Sequence, residues 1–373
     1  MFVGITNTPR DYAWGSTTAI AELLGTPATG TPQAELWLGA HPGSPSIVTT
    51  PEAGASDLRE LAGELPFLLK VLAAAHPLSL QAHPTLSQAA EGFARENAAG
   101  IALDAPHRNY KDALHKPELI YALSDSFRAL CGFRDVAETR ASLERLAGVL
   151  PGDPAIAGWL SRLQVDADLR ATFEWLLSGG DDVDELVVAV VEGAAQLEGD
   201  NFTLVTELAA EYPGDPGIAI SLMLNLVTLR PGEVLYLPAG NIHAYVEGLG
   251  IELMASSDNV LRGGLTPKHV DVPELLGVLD FSPVEVPYLA PETPAPGVQV
   301  FRPDVSDFVL TVVRADGTHE VSAAGPAIAL CTSGAVELDG HALARGESVF
   351  VTEGDEITTV SGSGTVFIAT AGR

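Results

Sequence analysis

Three short stretches of this 373-residue chain carry side chains whose types and spacing suit metal chemistry. In Leu78-Ser79-Leu80-Gln81-Ala82-His83, a predicted strand, Gln81 and His83 are two apart and leave the same face. Pro84 ends that strand by removing a backbone donor. In His115-Lys116-Pro117-Glu118 an imidazole, an ammonium and a carboxylate surround a stiffening proline, and Glu118 opens an apolar run. A carboxylate entering a buried strand is costly unless it pairs or binds an ion. In the third stretch Gly232, Pro238, Gly240 and His243 bracket a strand, a Pro–Gly turn and a return to extended chain. Together Gln81, His83, Glu118 and His243 come from three separated strand ends and offer nitrogen and oxygen ligands suited to Zn2+, with other divalent ions also possible. Each stretch alone also reads as plain structure: core hydrogen bonds for Gln81 and His83, a solvated loop around Glu118, a surface histidine on a hairpin at 243. Their joint occurrence favours the metal.

The elements that must position these groups are mostly strands. Residues 1–50 alternate short β-prone segments with Gly/Pro turns, and include Trp14, Glu35 and Trp37. Lys70 interrupts an apolar strand, so it must snorkel, pair with a carboxylate or face a cavity. A polar, Ala-rich helical excursion spans about 85–109. Residues 135–216 change to helical periodicity, about five helices, with Asp135-x-x-Glu138 and Asp182-x-x-Glu185 as capping-box starts. No chemistry is visible in that insertion. Strands resume, and residues 281–373 carry strand and turn signals only. There Gly346 to Gly354 echoes Gly232 to Gly240, with Thr352 in place of Pro238 and no histidine three residues past its last glycine. The expected plan is mainly β. Residues 1–134 with 217–280 form one metal-binding unit, 135–216 a helical insertion, and 281–373 a second unit without metal.

Composition narrows the partners. The net charge of −29 argues against nucleic acid and anionic membrane, both of which need basic surface. It leaves room for a small phosphorylated substrate, because a buried basic pocket overrides the global sign locally. Only four lysines occur (Lys70, Lys111, Lys116 and Lys268), and three lie in or beside the stretches above. No apolar run approaches a membrane span, no secretory signal is visible at the N-terminus, and Cys131 and Cys331 are too far apart in sequence for a disulfide framework. A cytoplasmic, monomeric chain is the expectation.

The spacing Gly232-x5-Pro238-x-Gly240-x2-His243 resembles the second motif of the cupins, and Gln81-x-His83 the first, with Gln for the first His. Over nearly its whole length the chain resembles the type I phosphomannose isomerases: Tyr12-Ala13-Trp14-Gly15-Ser16, Ala34-Glu35-Leu36-Trp37-Leu38-Gly39-Ala40-His41-Pro42, the LSLQAHP strand, HKPE, PAGNIHAY and SSDNVLRGGLTPKHVD all match. One departure is Leu114, where the family has Asn before HKPE. The resemblance implies two cupin-type jelly-roll barrels with an α-helical insertion, and Zn2+ on Gln81, His83, Glu118 and His243. It implies interconversion of mannose 6-phosphate and fructose 6-phosphate through a cis-enediol. Arg262 matches the family's active-site arginine and would stabilise developing charge or the phosphate. Lys116 and Glu252 stand as alternative proton-transfer bases, and His115 as a group assisting ring opening. Lys268 and Lys70 are candidate phosphate or hydroxyl contacts; Trp14, Glu35 and Tyr245 are candidate wall residues. An oxygenase-like metal cupin and a non-catalytic sugar-binding bicupin are the competing readings.

Overall fold

The computed structural model describes residues 1–372, as two nine-stranded antiparallel sheets and a helical insertion. The first sheet holds the metal-type stretches on Phe67–Ala74, Gln81–Ala82, Glu118–Ala122, Val234–Leu237, His243–Ala255 and Leu261–Arg262. The second is dominated by the long pairings of Val309–Ala324 and Ala327–Leu338 with Glu356–Thr370.

Strand alternation divides the environment. In Phe67–Ala74 the odd residues Phe67, Leu69, Val71 and Ala73 enter a core shared with Phe301, Leu310, Phe350 and Phe367 of the second sheet. The even residues Leu68, Lys70 and Leu72 face a cavity. The thirteen-residue strand His243–Ala255 does more, because a bulge between Tyr245 and Glu247 shifts its register. Before the bulge the odd residues face the site and Ala244 and Val246 face the helical insertion. After it the even residues Glu252 and Met254 face the cavity, while Ile251 and Leu253 face the second sheet. One strand thereby presents site residues from both of its halves.

The helical insertion comprises Val136–Val149, Pro154–Arg162, Leu169–Ser178, Asp181–Ala194 and Asp200–Glu211, around buried Trp159, Phe173, Leu186 and Phe202. This core is continuous with Leu80, Ile242, Leu261 and Leu265 behind the site. Asp135 caps the first helix by accepting the Ala137 N–H. The helix expected to start at Asp182 starts at Asp181, with Gly180 in the cap position.

Several boundaries differ from the sequence expectation. Phe2–Thr6 and Ile47–Val48, expected in the first unit, belong to the second sheet: Phe2 pairs with Val351, and Ile5 with both Ser348 and Val48. Ser348–Val351 pairs with Ala327–Leu330 along one edge, its other edge provides the pairing groups, and Val3 and Ile5 are buried there. The strand expected over 78–83 contracts to Gln81–Ala82, and the excursion near 85–109 is the helix Leu86–Ala98, closed by a Thr85–Gln88 capping box. Helical structure also runs on into Gly217–Ile220, where strands were expected to resume. No helix among the described residues is long and apolar enough to cross a membrane.

Candidate active site

His83, Glu118 and His243 converge, with one donor atom from each lying within 4.8 Å of the others. All three are buried, at 0%, 1% and 0% exposure. Sheet register causes the meeting: His243 is the direct cross-strand partner of Gln81, and Gln81 in turn of Arg262. The His83 Nδ1–H donates to the Asn259 carbonyl at 2.7 Å and the His243 Nδ1–H to the Asn241 carbonyl at 3.0 Å. A carbonyl only accepts, so each ring carries its proton on Nδ1 and turns a bare Nε2 lone pair inward. Each Nε2 lies 3.2 Å from a different Glu118 oxygen. Acceptor faces acceptor, and accordingly His83 Nε2 and Glu118 Oε2 are buried with no hydrogen-bond partner among the described residues.

That arrangement is what a cation would relieve. The Gln81 carboxamide ends 3.4 Å from His243 Nε2, and half a turn about its last bond brings its oxygen to the same point. Burial pushes the His83 imidazole down to about 4, outweighing the pull of Glu118, so the ring is neutral. Burial works against the Glu118 charge, but the Lys116 ammonium outweighs it, and the carboxyl is held well below the ordinary range. Lys116 Nζ sits 2.7 Å from Glu118 Oε1. Two imidazoles, one ionised carboxylate and an amide fit a divalent ion of the zinc type.

The cluster opens onto a cavity of about 540 Å3. Its walls include Trp14, Glu35, Lys70, Gln81, Lys116, Glu118, Tyr245, Glu252, Arg262 and Lys268. Lys70 is buried between carboxylates, 2.9 Å from Glu252 and 3.5 Å from Glu35, and lies over the Trp37 ring. Burial opposes its charge, yet Glu252 and Glu35 outweigh that and raise its pKa. Burial raises the Glu252 carboxyl against the pull of Lys70, and pushes the Tyr245 hydroxyl well above its ordinary value, keeping it a donor. Arg262 and Lys268 differ: neither makes an ion pair among the described residues. Burial lowers both, and the Arg262 charge lowers Lys268 further.

His115 lies elsewhere. It does not line the cavity, and its Nε2 is 2.9 Å from Asp307 on the second sheet's side. Four residues to which the sequence assigned no role turn up here. Tyr212, at the end of the helical insertion, and Asp258, 3.3 Å from His41 Nε2, both line the cavity. Asn259 clamps the approach to HKPE, its Nδ2 donating to the Leu114 and Asp112 carbonyls and its Oδ1 accepting the Lys111 N–H. The backbone at Leu114 is therefore fixed from outside its own side chain, which is half-exposed. Asp215 holds the loop before Lys268. The polar run Ser256-Ser257-Asp258-Asn259 was a visible signal; nothing local marked Tyr212 or Asp215.

Comparison with known proteins bears on all of this. Residues 2–136 match the family model "Phosphomannose isomerase type I, catalytic domain". The chain is similar to the mannose-6-phosphate isomerase of Escherichia coli (strain K12), 38% identical with 96% of each chain covered. It is similar to the human mannose-6-phosphate isomerase, 33% identical with 83% of this chain and 81% of the relative covered. Among solved structures it superposes on a zinc-bound mannose 6-phosphate isomerase with a TM-score of 0.89, 35% identity and full coverage of both chains. The apo form from Salmonella typhimurium gives the same TM-score at 36% identity, covering 100% of this chain and 99% of that one.

Proposed function

The chain belongs to the phosphomannose isomerase type I family, and from that premise we propose that it interconverts mannose 6-phosphate and fructose 6-phosphate through a cis-enediol. One Zn2+ would be held by Gln81, His83, Glu118 and His243. The observation that carries the proposal is the pair of inward, unprotonated Nε2 atoms facing a buried carboxylate beside a cavity with two unpaired cations. When bound, the ion supplies Lewis acidity toward the sugar's oxygens.

The remaining roles fall to side chains. Glu252 moves the proton between C1 and C2. It lines the cavity with its Oε2 held 2.9 Å from Lys70 Nζ, and burial has raised its pKa toward the working range of a general base. Lys116, paired with Glu118, steadies that ligand and is the alternative base. Lys70 orients Glu252 and Glu35. Tyr245 and Trp14 wall the sugar. Arg262 stabilises the developing charge, and Lys268 takes the phosphate as a point charge. An oxygenase-like or storage role has no use for these two cations. His115, tied to Asp307, steadies the start of HKPE rather than touching the sugar.

The same reading takes each nine-stranded sheet as a rolled, cupin-type jelly roll, supported by the turn repeated in both. It takes the chain as a cytoplasmic monomer, in keeping with two buried, unbridged cysteines.

The deciding experiment is a coupled assay of mannose 6-phosphate conversion with and without chelator. Turnover that stops on chelation and returns with zinc is expected; full turnover in metal-free protein would overturn the reading. In the same assay Arg262→Ala should lower kcat by about a hundredfold or more with zinc content intact.

A further inference from the structure

The end of the helical insertion, residues 211–215, touches both rims of the cavity. On one side the Tyr212 hydroxyl donates to the Pro77 carbonyl at 2.7 Å, and Glu211 lies 3.0 Å from His76 Nδ1. Pro77 leads directly into Leu78 and Ser79, which line the cavity. On the other side the Asp215 carboxylate accepts three backbone N–H groups: Gly217 at 2.7 Å, Leu265 at 2.8 Å and Thr266 at 3.2 Å. The last two belong to the loop that runs into Lys268. That loop is strained. Leu265 has φ +54, and Gly264 before it has φ +122. Among the described residues only Asp339 is another non-glycine at positive φ, and aspartate tolerates that region where leucine does not. Such a backbone persists only where its surroundings hold it. Here the start of the loop is pinned by the Leu80 backbone, which exchanges hydrogen bonds with Gly263 and Gly264 at 2.8 and 3.0 Å, and beyond it the hold is the Asp215 carboxylate on the two amides, with Leu265 buried against Gly217.

We propose that Asp215 is a positioning residue for phosphate recognition: the helical insertion, through this carboxylate, locks the strained 263–268 loop so that Lys268 meets the substrate's phosphate beside Arg262. The inference rests on the isomerase reading and gives the insertion a task in it. Without the carboxylate, Leu265 relaxes to negative φ, the loop shifts, and Lys268 leaves its place. The metal ligands and Glu252 lie on other strands and stay where they are.

The test compares wild type, Asp215→Asn, Lys268→Ala and the double variant. In Asp215→Asn the carboxamide turns an NH2 toward an amide it must accept from. KM for mannose 6-phosphate should rise about tenfold, as for loss of one charge-assisted contact, with kcat within about twofold. Affinity for inorganic phosphate, measured by calorimetry, should fall by a similar factor, and zinc binding should be unchanged. The double variant should show the KM of Lys268→Ala alone, because Asp215 acts through that lysine. An unchanged KM in Asp215→Asn, penalties that multiply in the double variant, or loss of zinc would each overturn the proposal. If Asp215→Asn does not fold, Asp215→Glu keeps the charge one methylene away; a raised KM with zinc retained supports the brace, and a wild-type KM refutes it. A wild-type chain without isomerase turnover would refute the isomerase reading instead, and the phosphate affinities would then decide the brace by themselves.

Discussion

Lys70 lies in the middle of a strand whose eight residues are all buried. Its direct cross-strand neighbours are Glu252 on one side and Trp37 on the other, so register supplies both its counter-charge and its aromatic face. Removing one member of such a set leaves the others charged and unpaired. Lys70→Met should destabilise the fold by about 3–5 kcal/mol near neutral pH. The pH dependence has a definite sign. Burial already holds the Glu252 carboxyl above its unfolded value, with Lys70 pulling the other way, so the variant raises it further. Ionising a carboxyl whose folded pKa is raised costs stability. The penalty is absent below the unfolded value near ~4.3 and grows as pH rises through the folded one. Thermal melts of variant and wild type should therefore converge toward pH 4 and separate toward pH 8; a gap independent of pH would mean that Lys70 contributes packing alone.

At the scale of elements, the turn echoed in the sequence is repeated in three dimensions. Gly232 and Gly346 have φ +93 and +87, and Gly240 and Gly354 have φ +80 and +87. In both copies a glutamate carboxylate reaches back to an amide three residues earlier, Glu233 to Arg230 and Glu347 to Ala344, at 2.8 Å each. The conformation needs glycine for two separable reasons, and the second copy isolates them. At Gly354 a Cβ would meet open space, leaving only the positive φ to oppose it; at Gly346 it would stand 2.4 Å from the Leu24 carbonyl. Gly354→Ala should cost about 1–2 kcal/mol, and Gly346→Ala clearly more, because backbone must also move. Urea midpoints of the two variants measure the difference, and equal values would assign the whole cost to φ.

For the molecule as a whole, the second sheet lacks the histidine of the first but closes the core behind its outer face. Phe301, Leu310, Phe350 and Phe367 pack against the odd residues of the strand that carries Lys70. The N-terminal strand ties in here: Met1 meets Asp355 and Thr352 through its ammonium group, and the Ser348 hydroxyl donates to the Ile5 carbonyl at 2.8 Å. Deleting residues 2–6 strips buried Val3 and Ile5 from that edge, a loss of about 3–6 kcal/mol. The calorimetric Tm should drop by roughly 4–8 °C while zinc affinity stays at its wild-type value. Loss of zinc in that truncation would place the N-terminal strand in the site's support rather than in the second sheet. The overall charge of −29 belongs to this scale too: it describes the surface, and the two unpaired cations in the cavity act against it locally.

Features set within a few residues were legible before any folding was considered. Strand alternation put Gln81 and His83 on one face, the Pro–Gly turn placed His243, and 3.6-residue periodicity marked the helical insertion. Chirality and side-chain spacing act over such short distances, so the chain writes them locally. Which edge a strand joins is different, because it depends on which unpaired backbone groups remain once distant segments have folded. The first five-residue strand therefore went to the far sheet, and the bulge after Tyr245 decided that Glu252 would face the cavity. The carboxylate of Asp215 likewise has meaning only beside a loop fifty residues away. Residue types and spacing determined the candidate ligands. Tertiary pairing decided their orientation, the burial that sets their charge, and the strained loop that presents Lys268.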